Sequence, residues 1–167
     1  MFHGRNYIIY IITGLIFLLG GEVQSKTKQQ RDYCDLALDK TQSKLRENRR
    51  RINVDFKPRE ITRQSDWYEG MPSDRPYELW VIMRGSESDM SNVMHSKQFL
   101  TTLAANIITN CDRVSVVTFG INSTDYLRSY GLINNKVTYF KCIDRETFLA
   151  AQRISSRVIY WGRQLCI

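Results

Sequence analysis

The sequence predicts an α/β fold in which a strand–helix–strand unit is preceded by a basic helix and followed by a third strand. Two apolar runs of strand length, at residues 79–83 and 114–119, flank a stretch at 91–109 whose apolar residues recur at helical spacing. Continuous apolar runs of this length favour strands that are buried on both faces, as in a parallel sheet. Parallel strands joined over a helix predict a right-handed crossover.

The segment 26–66 is the most basic part of the chain, with 12 basic and 7 acidic side chains. Leu38, Leu45 and Ile52 recur at seven-residue spacing and predict one helix over residues 31–52. Because this apolar stripe is thin, we expect the helix to be a lid or stalk rather than a core element.

Turn residues mark the boundaries of the other predicted segments. Gly, Pro and Asn favour turns because they suit backbone conformations that most residues avoid. The predicted segments are a hinge loop at 67–77, a domain at 78–167, a loop or short helix at 122–130 with Gly131 as its C-cap, a turn at Asn134-Asn135, a third strand at 137–143, a short helix at 145–154, and a last strand or tight loop at 158–161.

Residues 1–25 have the composition of a secretory signal peptide. One positive charge precedes an apolar run at 7–19, and small residues follow just before Lys26. We expect cleavage before Lys26, a secreted protein, and no membrane span after cleavage. An uncleaved N-terminal anchor is the alternative, and both place residues 26–167 outside the cytosol.

The four cysteines, Cys34, Cys111, Cys142 and Cys166, all follow this leader. An even count in an oxidising compartment predicts two disulfides, and the residues alone leave three pairings open. The sequence has no C-x-x-C pair, which disfavours a redox motif or a zinc knuckle.

Composition and histidine content restrict the function. Hydrophobic residues make up 43% and charged residues 25% of the 167, which excludes a disordered or multi-span membrane protein. His95 is the single histidine after the leader, and no glycine-rich phosphate loop appears. We therefore expect neither an enzyme nor a cofactor; a hydrolase using His95 and Glu87 is the third-ranked alternative. The predicted secretion of the chain disfavours nucleic acid as a partner.

Residues 79–120 resemble the opening of a von Willebrand factor A-type domain. In that family an apolar strand ends in Asp-x-Ser-x-Ser, a helix rich in Phe and Leu follows, and the next strand is similar to Arg-Val-x-Val-Val-x-Phe. Here Arg84-Gly85-Ser86-Glu87-Ser88 follows the first run, and residues 113–119 are RVSVVTF. The resemblance implies a Rossmann-like, partial von Willebrand A-type sheet in an extracellular adhesion or matrix module that binds a protein partner.

The family's metal-ion-dependent adhesion site is altered in this sequence. Arg84 stands where the family has its first aspartate ligand, while Ser86 and Ser88 match its two serines. A guanidinium repels a divalent cation, which requires anionic oxygen ligands. We therefore expect no bound metal and metal-independent binding.

The resemblance also implies a cysteine pairing. If the second and third strands pair antiparallel, as in the family, Cys111 lies beside Cys142 at one end of the sheet. Cys34 would then pair with Cys166 and tie the basic helix to the tail.

The edge of the first strand requires a neighbour. The family continues with three more strands, whereas this sequence stops at Ile167, and proteins normally cover an apolar strand edge. The expected covers are residues 158–161, the N-terminal segment, or a second chain in an oligomer. A truncated gene product is the remaining explanation.

Binding residues follow from the same resemblance, because family members contact partners through the loops near the metal site. These loops correspond to residues 84–89 and 121–130, and they assign Arg84, Glu87 and Asp89 to binding. Asn122 begins a glycosylation sequon in the second loop.

The basic helix supports an alternative function. Arg49, Arg50 and Arg51 are consecutive near its predicted end. They favour a basic secreted effector that binds polyanions such as sulfated glycans or acidic lipid headgroups.

Overall fold

Five strands form one mixed sheet in the computed structural model of the protein, which describes residues 28–47, 51–61, 68–147, 149 and 159–165. Helix α1 comprises residues 28–46, and the other elements are β1 (Ile52–Glu60), β2 (Tyr68–Glu69), β3 (Tyr77–Gly85), α2 (Glu87–His95), α3 (Lys97–Asn110), β4 (Val114–Ile121), β5 (Leu127–Ile133), β6 (Lys136–Tyr139), β7 (Lys141–Ile143), β8 (Ile159–Tyr160) and β9 (Arg163–Leu165). The large sheet has the order β1–β3–β4–β5–β6, and β2–β8 and β7–β9 form two small sheets. The leader predicted at 1–25 lies outside the described residues.

The predicted strand–helix–strand unit is confirmed. Strands β3 and β4 pair in parallel, from Tyr77↔Val114 to Met83↔Ile121. The helix predicted at 91–109 is two helices, because Ser96 leaves the helical conformation with ψ of 78°. Apolar side chains of α1, α2 and α3 form one core with alternate residues of the sheet.

Strand β1 corrects the prediction of a helix over residues 31–52. It runs antiparallel to β3, from Ile52↔Gly85 to Glu60↔Tyr77. Its alternate residues face the core, which is the period of a half-buried strand rather than of a helix. Pro58 fits because β1 is an edge strand, where a missing N–H costs no ladder bond. The N-terminal segment therefore covers β3, and neither residues 158–161 nor a second chain is needed there.

Helix α1 is part of the core, so the prediction of a lid or stalk is wrong. Leu45 is fully buried and belongs to the main hydrophobic cluster. Thr41 is also buried, and its hydroxyl donates to the carbonyl oxygen of Ala37 at 2.8 Å. This internal hydrogen bond lets a polar residue occupy the apolar stripe without an unsatisfied group.

Strand β5 replaces the predicted loop or short helix at residues 127–130, whereas residues 122–126 form a loop, which was one of the two predicted alternatives. It pairs antiparallel with β4, so the antiparallel third strand is β5 rather than residues 137–143. Gly131 is not a helix C-cap but lies within β5, where the ring of Phe140 occupies the space that a Cβ atom would take. The turn at Asn134-Asn135 is confirmed, with φ of 49° and 61°, as in a two-residue hairpin.

The C-terminal predictions hold in part. The strand predicted at 137–143 divides into β6, which pairs with β5, and β7, which pairs in parallel with β9. Residues 145–147 and 149 are helical, and the rest of the helix predicted at 145–154 lies outside the described residues. Of the two alternatives predicted at 158–161, the strand is found, as β8 at Ile159–Tyr160, which pairs with β2.

The observed disulfide joins Cys34 to Cys111, with their Cα atoms 4.6 Å apart. The implied pairs Cys111–Cys142 and Cys34–Cys166 are therefore wrong, because β5 is the neighbour of β4 and Cys142 lies on β7, which pairs with β9 in a separate small sheet. Instead α1 packs along α3, where the side-chain amide of Asn106 donates to the carbonyl oxygen of Ala37 at 3.2 Å. Cys142 is also disulfide-bonded, and no described cysteine is free.

Among the described helices, none combines the length and the apolar composition that a membrane span requires.

Candidate functional site

The carboxyl ends of β3 and β4 meet at one edge of the sheet. The segments that follow them, residues 84–89 and 121–126, are called the rim below. The backbone N–H of Asn122 donates to the carbonyl oxygen of Met83 at 2.9 Å and joins the two segments. The fold therefore brings together the two loops that the sequence assigned to binding, at the edge where open α/β sheets hold their ligands.

Arg84 is held by a charge partner on β1. Its guanidinium lies 2.6 Å from a carboxylate oxygen of Asp55, and both side chains are about half exposed, at 49% and 40%. The sequence could not show this pair, because Asp55 was assigned to a basic helical segment. An exposed pair contributes little stability, on the order of 0–1 kcal/mol, but it fixes where the Arg84 charge lies.

The serines of the rim take part in helix capping. Ser86 is the N-cap of α2, and its hydroxyl accepts a hydrogen bond from the Asp89 N–H at 3.2 Å. The Ser88 hydroxyl lies 3.4 Å from that of Ser86. Glu87 and Asp89 occupy the first turn of α2, where negative charge suits the helix dipole.

Of the basic triplet, the structure describes Arg51. Arg49 and Arg50 lie outside the described residues, and Arg51 comes after α1 has ended at residue 46. Arg51 is exposed, and its N–H donates to the Asp89 carboxylate at 3.3 Å. This hydrogen bond is made by the backbone N–H, and it joins the segment before β1 to the rim.

Asn122 is exposed at the rim, as a sequon requires. Ser123 adopts a left-handed conformation with φ of 63°, and the Thr124 hydroxyl donates to the carbonyl oxygen of Ile121 at 3.0 Å. The turn presents the Asn122 side chain to solvent, and glycosylation there stays a prediction.

A group of cations and tyrosines beside the rim was missed by the sequence reasoning. Arg128 donates through Nη2 to the hydroxyl of Tyr126 at 2.8 Å, and its guanidinium carbon lies 5.4 Å from the Tyr126 ring centroid and 5.8 Å from that of Tyr139. The Nζ atom of Lys97 lies 5.6 Å from the same Tyr139 centroid. We call Lys97, Tyr126, Arg128 and Tyr139 the cation–tyrosine cluster.

The cluster has excess positive charge and an aromatic surface. Within the parts of the chain that the structure describes, neither Lys97 nor Arg128 has a carboxylate partner. Lys97 is also the first residue of α3, whose first turn contains no acidic side chain. Cation–π contacts, rather than ion pairs, position both side chains. The alternating pattern Tyr126, Arg128, Tyr130 was the signal that could have revealed a strand face.

Tyr130 lies behind the cluster and is fully buried. Its ring centroid is 5.4 Å from that of Tyr139 and 5.9 Å from that of Phe119. Among the described residues its hydroxyl has no hydrogen-bond partner. Burial raises the pKa of Tyr130 to about 12, although the nearby Arg128 charge acts in the opposite direction.

The native chain is expected to lose stability at alkaline pH as Tyr130 ionises, and Tyr130→Phe should remove this loss. An unfolded tyrosine has a pKa of about 10 and the folded one a pKa of about 12, so the stabilisation is complete below about pH 10 and is lost as the pH rises through 12. Urea unfolding at pH 7 and from pH 9.5 to 12 measures this. At pH 7 the variant should be as stable as the native chain or more stable by about 1 kcal/mol, because the lost hydroxyl has no described partner. Equal pH dependence in both proteins would contradict the assignment.

His95 and Glu87 are not brought together. They stand at opposite ends of the nine-residue α2, about 12 Å apart along its axis. The Nδ1 atom of His95 lies 2.7 Å from the carbonyl oxygen of Ser91, so it donates there and cannot accept a proton from the Ser91 hydroxyl. Instead, the His95 ring lies 6.2 Å from that of Tyr126 and extends the edge of the cluster.

A metal-binding group is not present among the described residues, where no three His, Cys, Asp or Glu side chains are placed to hold an ion.

No family model matches this sequence, and no curated protein or solved structure shows significant similarity to it.

Proposed function

We propose that the chain is a secreted, non-enzymatic binding module of the extracellular matrix or cell surface, and that it contacts a protein partner through the rim and the cation–tyrosine cluster without a metal ion. The proposal follows the resemblance to the first half of a von Willebrand A-type domain, whose members bind partners at this edge. The parallel β3–β4 pair and the antiparallel β5 are compatible with that resemblance.

The cation–tyrosine cluster is the observation that carries the proposal. Tyr126 is 36% exposed, so its ring and hydroxyl are accessible to a partner. Tyrosine and arginine are enriched at the energetic centres of protein interfaces, because each combines a large apolar area with directional polar groups. Arg128 is already held against two rings, so binding it to a partner would cost little conformational entropy.

Metal independence is proposed from the contacts of the rim. A divalent ion at Ser86 and Ser88 would have to displace the cap of α2 and lie beside the Arg84 guanidinium. Both requirements oppose binding of a hard cation.

Binding to immobilised collagen, fibronectin and laminin tests the proposal. We expect saturable binding to at least one of them, unchanged by EDTA and weakened about tenfold or more in Tyr126→Ala. Tyr33→Ala is the matched control, because Tyr33 lies on α1 and is 48% exposed. Failure to bind all three proteins, loss of binding in EDTA, or equal effects of the two variants would contradict the proposal.

Polyanion binding is the second candidate, and the absence of a described carboxylate partner at Lys97 and Arg128 favours it. Sulfate or phosphate groups would supply the missing negative charge. Heparin binding should then weaken steeply between 50 and 200 mM salt and fall further in Lys97→Gln, as screening predicts. Binding that is insensitive to salt would instead support a docked protein interface.

A further inference from the structure

A cleft of about 530 Å³ lies at the edge of the sheet opposite the rim. It is formed where the turn between β5 and β6 approaches the segment before β3 and the end of β8. Its volume falls within the range of small-molecule sites. The lining residues with polar or aromatic side chains are Asp74, Arg75, Asn134, Asn135, Tyr160 and Trp161.

Arg75 is fixed in the wall of this cleft. Its Nη1 atom donates to the carbonyl oxygens of Ile108 at 2.7 Å and Val114 at 3.2 Å. The Nε and Nη2 donors have no acceptor in the described parts of the chain. Arg75 also lines a neighbouring cleft of about 450 Å³, which shares Asn135 with the first. A guanidinium held in this way presents its remaining donors at little entropic cost.

Three further residues with planar polar groups line the cleft together with Arg75. Asn134 and Asn135 hold the two positive-φ positions of the turn, and both residues are exposed. Asp74 is exposed as well. The side chains of these three residues make no hydrogen bond to another described residue. Amide, carboxylate and guanidinium groups can each bond two neighbouring hydroxyls at once.

An aromatic surface completes the cleft. Tyr160 is 62% exposed, the largest exposure among the described aromatic side chains. Beside it Trp161 donates from Nε1 to the carbonyl oxygen of Leu132 at 2.8 Å, which fixes the indole ring. An exposed aromatic face can pack against the apolar C–H face of a sugar ring. Asp74 and Arg75 balance each other in charge, so the lining favours an uncharged ligand.

We infer that this cleft is a binding site for a neutral saccharide, with Tyr160 as the stacking surface and Arg75, Asp74, Asn134 and Asn135 as hydroxyl-binding groups. The inference goes beyond the proposed function, because none of these residues belongs to the rim or to the cation–tyrosine cluster.

Saturation-transfer NMR with the full chain tests the inference. The probes are glucose, galactose, mannose, N-acetylglucosamine, cellobiose and chitobiose. We expect saturable binding of at least one probe, weakened about tenfold or more in Tyr160→Ala and largely retained in Tyr160→Phe. Asn135→Gly should weaken it about threefold or more while preserving the hairpin, because glycine suits a positive φ.

Tyr126→Ala is the control on the opposite edge and should bind the sugar as the native chain does. The inference is overturned if no probe binds saturably, or if Tyr160→Ala and Asn135→Gly both bind with native affinity. It is also overturned if a proline-rich peptide occupies the cleft and no sugar competes with it. Because the controls lie on different edges, failure here leaves the proposed function untouched.

Discussion

Replacing Cys34 and Cys111 together by alanine is expected to lower the free energy of unfolding by about 4 kcal/mol. The bond closes a loop between cysteines 77 positions apart, and in the chain-entropy account the stabilisation grows with loop length. It also ties α1 to the end of α3, so its loss should loosen a helix that supplies buried Leu45. Urea unfolding under non-oxidising, non-reducing conditions measures the change.

The disulfide of Cys142 remains intact in the double variant, so the change in the free energy of unfolding reports the loss of the Cys34–Cys111 bond. Peptide mapping of the native chain should recover a peptide pair joined through Cys34 and Cys111. A map that links Cys34 to another cysteine, or a loss of stability below about 1 kcal/mol, would show that the bond does not hold the helix layer in place.

Gly131→Ala is expected to lower the free energy of unfolding by about 2–3 kcal/mol. A Cβ atom at this position would lie 2.3 Å from Cε1 and 2.5 Å from Cζ of Phe140, whose side chain is buried. The ring also packs edge-on against Trp161, with centroids 5.0 Å apart, so moving it away from residue 131 would disturb that contact. Overpacking of this kind moves side chains out of their preferred rotamers.

Gly120→Ala is the matched control for this variant. A Cβ atom there would meet Cδ2 of Leu127 at 2.7 Å, and the end of a flexible leucine can move. We expect a loss of about 1 kcal/mol or less, measured by the same urea titration. If both glycine variants lose the same stability, the packing of Phe140 against Gly131 is not the cause.

The sequence predicted best where its pattern was strongest. The apolar runs in β3 and β4 and the apolar face between them predicted a parallel pair joined by helix, because only buried strands and helices leave such patterns. The Asn134-Asn135 turn was predictable for a similar local reason, since asparagine tolerates positive φ. These are features that a short stretch of residues determines alone.

The predictions failed where the decisive contact lies far away in the sequence. Ile52 continued the seven-residue spacing of the helix, but its partner is Gly85 in an antiparallel strand. Glycine is common as a helix C-cap, which suggested that role for Gly131. In the structure a glycine is needed there because the ring of Phe140 occupies the space of a Cβ atom. Once β5 was missed, the cysteine pairing that depended on strand adjacency also failed.

The candidate site was predictable only as two segments. The resemblance implied the two segments of the rim, and the parallel β3–β4 pair places both at the same edge of the sheet. The cation–tyrosine cluster did not, since Lys97 and Tyr139 belong to a helix and to a strand that meet only after folding. The Asp55 partner of Arg84 was hidden for the same reason.

Inter-strand NOEs between residues 52–60 and 77–85 test the central claim that β1 completes the sheet and thereby fixes Arg84 at the rim. In an antiparallel pair, alternate partners bring their Hα atoms close enough for strong NOEs. We predict these contacts along the register from Ile52↔Gly85 to Glu60↔Tyr77. Helical NOEs that continue from residue 31 to residue 52, with no contacts between the two segments, would contradict the account.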